Sequence, residues 1–164
     1  MVIGESEFYE LGFIIERIPE WENDSFKNGI MFLMIKGEIY PKSARTVTFS
    51  CELPELLDES SPMVSPIVDR KLFQLNSTAL FEQLADITYS KDRDALYDTR
   101  FLIPFHEIND AGYSIFIISD GDDIRVLAGT HRGDDLYLDN EIKLPKERYM
   151  KVIDKLKEFY NTLK

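Results

Sequence analysis

Two histidines, one cysteine and a few clustered carboxylates are the side chains of this chain whose types could do chemistry. His106 precedes Glu107 and follows Pro104-Phe105, while His131 sits beside Arg132 and near Asp134. An imidazole held against a carboxylate can move a proton, and two imidazoles with a carboxylate can hold zinc. Neither histidine has a second one at helical spacing, so the sequence contains no paired-ligand motif. Both are read as hydrogen-bonded or solvated side chains. Asp120-Gly121-Asp122-Asp123 clusters hard oxygen ligands, but it lacks the alternating ligands, sixth-position glycine and twelfth-position glutamate of a calcium loop. Asp-Gly is hairpin chemistry, and Asp134-Asp135 after Gly133 reads the same way. Gly4-Glu5-Ser6 lacks the trailing glycine of a nucleophile elbow. Cys51, in the alternating run Val47 to Leu53, reads as a small buried hydrophobe. No catalytic, cofactor-binding or metal-ligating residues are therefore expected, and the chain reads as a binder rather than an enzyme.

Charge narrows the partner. Thirty Asp and Glu face nineteen Lys and Arg over 164 residues, a net charge of -11. Nucleic acid and anionic membrane surfaces repel such a chain, so its natural counterpart is a basic protein. The hydrophobic fraction, 44%, suffices for a core, and the length fits a single domain over residues 1–164. One cysteine cannot form an internal disulfide, which fits a reducing compartment. The first residues lack the basic and apolar regions of a signal peptide, and no stretch reaches the roughly 18 apolar residues that span a bilayer. A cytoplasmic location is expected.

The elements that must position these groups follow from periodicity. Phe8 to Ile18 reads as a strand ended by Pro19, and Gly29 to Lys36 as a strand covered on both faces. Gly37-Glu38 turns the chain into a return strand at Glu38-Ile39-Tyr40. Ala44 to Leu53 alternates, with Val47, Phe49 and Cys51 on one side. Pro54 suits the first position of a short helical turn through Leu57. From a cap at Asn76 or Ser77, Leu80, Phe81, Leu84 and Ile87 recur at helical spacing through about Thr88. Thr99 to Phe105, Tyr113 to Ser119, Ile124 to Gly129 and Leu136 to Ile142 read as four strands. The segments 119–123 and 130–135 supply the turns between the last three, and His131 falls in the second turn. Pro145 then opens an amphipathic helix whose stripe is Tyr149, Val152, Ile153, Leu156, Phe159, Tyr160 and Leu163. The expected class is α+β: a mainly antiparallel sheet, with the C-terminal helix and a helical middle segment packed on it.

The acids are unevenly spread. Residues 1–60 hold 12 acids against 5 bases and residues 101–144 hold 9 against 3, whereas the last twenty hold 3 against 6. Candidate partner-binding residues are therefore Glu20, Glu22 and Asp24 around Trp21, together with Asp120, Asp122, Asp123, Asp134 and Asp135. Trp21 among acids has two readings, a ring folded back onto the core or an interface anchor. Tyr113, Tyr137 and Tyr149 read as core or half-buried.

The N-terminal block adds a resemblance. Val2-Ile3-Gly4-Glu5, Glu20-Trp21, Phe26-Lys27-Asn28-Gly29-Ile30 and Ile35-Lys36-Gly37-Glu38-Ile39-Tyr40-Pro41-Lys42 stand in an arrangement that resembles bacterial polymorphic-toxin immunity proteins, in particular the immunity protein 42 family. Residues 1–57 carry it. It implies a stoichiometric inhibitor of a secreted or contact-delivered toxin, as in contact-dependent growth inhibition, with no catalytic residues to carry over. Many such toxins are nucleases, whose phosphate-holding surfaces are basic. Two alternatives stand beside it. One is a small-molecule-binding or hydrolytic α+β domain using His106 and Glu107, which requires a concave pocket joining them. The other is an acidic adaptor for some different basic protein.

Overall fold

A computed structural model describes residues 1–4, 10–91 and 97–164. Among the described residues, two antiparallel sheets and five α-helices make up the α+β fold. The first sheet contains β1 (Val2–Gly4), β2 (Leu11–Arg17), β3 (Asn28–Ile35), β4 (Glu38–Tyr40) and β5 (Thr46–Thr48). Its order is β1-β2-β3, with β4 and β5 pairing successive halves of β3's other edge. The second sheet is the meander β6 (Tyr113–Ser119), β7 (Asp123–Arg132) and β8 (Asp135–Pro145). The helices are α1 (Phe49–Leu56), α2 (Arg70–Phe73), α3 (Ser77–Thr88), α4 (His106–Asp110) and α5 (Lys146–Asn161).

Side-chain alternation builds the layers. Leu11, Phe13 and Ile15 of β2 and Met31, Leu33 and Ile35 of β3 point to the main core. There they meet Ile115 and Ile117 of β6, Val126 and Ala128 of β7, and the stripe Tyr149, Val152, Ile153, Leu156 and Phe159 of α5. The opposite parity, Phe116, Ile118 and Leu127, faces a second cluster built on Phe73, Leu80, Phe81 and Leu84 from α2 and α3. The second sheet is thus buried on both faces, which explains the continuous apolar runs of β6 and β7.

A bulge between Ala128 and Gly129 shifts the β7–β8 register, so that Gly129 pairs with Leu138 and Ala128 with Asn140. Side chains alternate with period two, so one extra residue reverses the faces. Leu136 and Leu138 therefore pack toward α3, while Ile142 and Leu144, of the same parity, enter the main core. At the bulge, the Asn140 Nδ2 donates to the Ile35 carbonyl at 2.7 Å and ties the two sheets together.

Several expectations hold. Asn76 caps α3, its side-chain oxygen accepting from Ala79 N–H at 2.9 Å. Pro145 precedes α5, and Tyr149 is fully buried with its hydroxyl donating to the Met63 carbonyl at 2.6 Å.

Other expectations need correction. The tight turn expected at Gly37-Glu38 falls one residue earlier, at Lys36 (φ 48°) and Gly37 (φ 79°), the left-handed pair that a two-residue hairpin requires, and Glu38 already belongs to β4. The strand expected over Ala44 to Leu53 is only Thr46–Thr48, and Phe49 already begins α1. The positions that α1 buries are Phe49, Glu52, Leu53 and Leu56, an i, i+3, i+4, i+7 pattern that outcompetes the alternation. Cys51 consequently turns outward and is exposed rather than buried. Pro54 lies inside α1, not at its first position. The segment expected as a strand from Thr99 to Phe105 forms a single Leu102–Phe116 bridge, flanked by Ile103 N–H to Ile115 O and Ile117 N–H to Phe101 O, each 2.9 Å. Pro104 has no N–H with which to extend that ladder. The β7–β8 turn is tighter than expected, centred on Gly133 at φ 64°, so His131 lies on β7 opposite Leu136 instead of in a loop. Phe8, expected to start the second strand, lies outside the described residues, and that strand begins at Leu11.

Gly129 is where the two layers press closest. A Cβ there would stand 2.2 Å from Phe81 Cζ and 2.8 Å from the Tyr137 carbonyl oxygen. Gly129→Ala should therefore destabilise the fold by about 1–3 kcal/mol, read as a lower thermal midpoint. Adding Phe81→Leu should recover part of that loss, and purely additive losses would disprove the overlap.

Candidate functional site

The nine sequence-predicted contact residues fall at three separate corners. Glu20, Trp21, Glu22 and Asp24 occupy the β2–β3 connection, which contains one 3-10 turn, Pro19–Trp21. Asp120, Asp122 and Asp123 form the β6–β7 turn, and Asp134 and Asp135 the β7–β8 tip. These two turns cap opposite ends of β7, whose ten residues separate them by about 30 Å. The β6–β7 turn adjoins the start of α5, where Lys146 N–H donates to the Asp122 carbonyl at 2.8 Å. The β2–β3 connection adjoins the other end of that helix. There the Phe49 ring, which crowds Gly29, meets Phe159 edge-on at 5.6 Å. Sixteen helical residues, about 24 Å, lie between those corners.

The acids divide into two kinds. Glu22 faces inward: Arg17 Nε and Nη2 donate to its two oxygens at 2.6 and 2.8 Å, and the guanidinium holds its carboxyl below the usual range. Asp120 Oδ1 accepts from the Asp122 and Asp123 N–H groups at 2.9 and 2.8 Å, which closes the turn and lowers its pKa. Asp123 pairs with Lys143 at 3.2 Å. These three acids are occupied by the fold. Glu20, Asp24, Asp122, Asp134 and Asp135 are exposed, and their carboxylates have no partner among the described residues. At the β7–β8 tip, Asp134 and Asp135 share a cleft of about 500 Å³ with Glu82 and Asp86 of α3 and with Tyr89, His131 and Tyr137. Trp21 does not fold onto the core, since 47% of its surface is exposed. Tyr137 is exposed to the same degree, with the Arg132 guanidinium 5.1 Å above its ring.

The histidines have separate surroundings. His131 Nε2 lies 2.9 Å from Ser114 Oγ, which is 2.7 Å from Tyr89 OH, and burial lowers the His131 pKa. His106 lines a cleft of about 690 Å³ with Glu55, Asp58 and Asn109. Glu107 is not part of that lining and instead accepts from Arg45 Nε at 2.8 Å. The cleft that His106 lines therefore does not join it to Glu107. His106 Nε2 lies 2.7 Å from Glu55 Oε2, a partner that raises its pKa. Sequence reasoning missed Glu52, 5% exposed, whose Oε1 accepts the His106 N–H at 2.5 Å. Its place on the buried face of α1 (Phe49, Glu52, Leu53, Leu56) is the signal that a helical reading would have caught. Among the described residues, no group of three or more His, Cys, Asp and Glu is placed to hold a metal ion, and no helix is long and apolar enough to cross a membrane.

Burial pushes Glu52 up to about 7, against the lowering effect of the His106 amide. A carboxyl with a raised folded pKa binds its proton more tightly in the folded state, so stability falls as pH rises between the unfolded value and about 7. His106, also raised, loses its contribution as pH rises through its folded pKa, in the same direction. Glu52→Gln keeps an acceptor for the His106 amide and removes the titration. The variant should gain on the order of 2 kcal/mol over the wild type between pH 5 and pH 8. Denaturant midpoints that move in parallel across that range would refute this assignment.

The whole chain can be compared with known proteins. The crystal structure of CdiI from Burkholderia dolosa AUO158 matches with a TM-score of 0.77, covering 97% of this chain and 99% of that one at 16% sequence identity, so the two share a fold. No curated protein matches. The family model for immunity protein 42 matches residues 1–159, well past the N-terminal block that carries the resemblance. This chain belongs to the immunity protein 42 family.

Proposed function

We infer that this immunity protein neutralises a cognate toxin domain by stoichiometric binding, inside the cell that makes it, and that the toxin is basic, as a nuclease must be to hold phosphate. One observation carries the charge argument beyond family membership. Glu20, Asp24, Asp122, Asp134 and Asp135 stand exposed, with no partner for their carboxylates among the described residues, in a chain of net charge -11. Unpaired surface acids contribute little to folding and generate a long-range negative field. Such a field raises the rate at which a basic partner is captured, while the tightness of the complex is set by a smaller desolvated contact. An inhibitor that must intercept few incoming toxin molecules gains most from the first effect. No group of the clefts at His106 or His131 is required for catalysis in this reading, because inhibition consists of occupying the toxin's surface.

Co-expression with the cognate toxin domain should restore growth, and the two chains should co-purify one to one. The association rate should fall steeply with ionic strength. Replacing Asp134 and Asp135 by Lys should slow association by about 3–10-fold and flatten the salt slope, with little change in dissociation. Failure to protect or to co-purify would refute the inhibitor role, and salt-independent association would refute the basic partner.

A further inference from the structure

Trp21 is the chain's one tryptophan, and it shares the β2–β3 connection with Phe26. The two side chains are 47% and 46% exposed. Single exposed apolar residues are ordinary, so exposure alone decides nothing. The way the connection is held is more telling. Trp21 N–H donates to the Ile18 carbonyl at 2.9 Å, and Glu22 N–H to the Pro19 carbonyl at 3.1 Å. Asn28 Nδ2 donates to the Trp21 carbonyl at 2.5 Å. Asn23 Oδ1 accepts from Ser25 and Phe26 N–H at 2.9 and 2.8 Å, and Asn23 N–H donates to the Phe26 carbonyl at 3.1 Å. The two-pronged grip of Arg17 on Glu22, with Lys27 Nζ at 3.9 Å, braces the connection from inside. All these contacts use backbone or polar side-chain atoms, and none uses the indole or the phenyl ring. The connection is thus ordered independently of the two rings it holds out into water.

We propose that Trp21 and Phe26 are the apolar anchors that seat in the toxin, and that the site they enter is an apolar pocket rimmed by Lys or Arg. The proposal deepens the inhibitor reading above and rests on it. Charge complementarity names the occupant: of the two acids between the anchors, Glu22 is neutralised internally, while Asp24, together with Glu20 just before Trp21, has no partner among the described residues. A basic rim on the toxin meets those two carboxylates while the rings enter the pocket. Rings presented by an already ordered backbone lose little freedom on binding, and buried aromatics dominate the energy of such contacts. The acids at the two ends of β7 then act on capture, and this corner acts on retention.

The test uses the intact protein and its cognate toxin domain. Trp21→Ala should raise the dissociation rate about 30-fold or more, and Phe26→Ala about 5-fold or more, with the association rate nearly unchanged. Both backbones keep their hydrogen bonds, so the thermal midpoints should match the wild type, and a midpoint match confirms that binding alone has moved. Protein labelled with 5-fluorotryptophan carries a single fluorine resonance, which should shift when the toxin domain is added. Wild-type protein that protects and co-purifies, with unchanged dissociation for both variants and a stationary resonance, would overturn the anchors and leave the inhibitor role standing. Absence of any wild-type complex would overturn both.

Discussion

A sheet buried on both faces has no room for an unsatisfied charge, and the second sheet meets that constraint at Arg125. This arginine lies on β7, 6% exposed, pointing into the layer that α2 and α3 form. Its guanidinium donates to the Phe73 and Leu75 carbonyls at 2.6 and 2.7 Å, to Ser77 Oγ at 3.4 Å and to the Glu141 carboxylate, and it lies over the Phe73 ring. Two of those acceptors are carbonyls in the connection from α2 to α3, where the chain leaves one helix before Asn76 caps the next. One side chain thereby satisfies loose backbone ends, neutralises Glu141 and clamps the helical layer to the sheet. An arginine does this where a lysine does not, because its planar fork reaches several acceptors in fixed directions. With the helical layer held, Phe81 can press on Gly129 and the meander has a second buried face.

The acids of this protein serve two distinct purposes. Glu22, Asp120, Asp123 and Glu141 are held by neighbouring donors and shape turns or join elements. Glu52 is the extreme case, a carboxyl drawn into the core to receive the amide that begins α4. The remaining unpaired acids are left over for the surface potential. Net charge counts both kinds equally, which is why an acidic composition indicates a class of partner without indicating where the partner sits.

Much of the architecture was legible in the chain. The stripe of α5, the cap at Asn76 and the existence of the three strands after Tyr113 follow from period and turn chemistry, though the last two strands extend beyond the Ile124–Gly129 and Leu136–Ile142 that the pattern gives. The segment from Ala44 to Leu53 was not, because Val47, Phe49 and Cys51 alternate just as Phe49, Glu52, Leu53 and Leu56 repeat. Burial of Phe49, Leu53 and Leu56 in the main core, with Phe49 edge-on to Phe159, decides between them. Arg70 to Phe73 forms a helix too short for any period, held by Asp69 accepting from Lys71 and Leu72 N–H. For the site, residue types were readable but grouping was not. Asp120 and Asp135 lie near one another along the chain, yet opposite ends of β7 carry them apart. Trp21's exposure depended on a hydrogen-bonded frame spread over Arg17 to Asn28, which no local pattern encodes.

The bulge at Asp139 also bears on how such a chain can diversify. Between Leu136 and Leu144 the strand serves one layer with its first half and another with its second, and the switch point is a single residue. Insertions or deletions inside that stretch would turn one half inside out, whereas the Gly133-Asp134 tip lies outside the paired register and stands in solvent. Changes in length are thereby channelled toward the tip of the hairpin. This strand thus has a fixed grammar in the middle and a free vocabulary at the end.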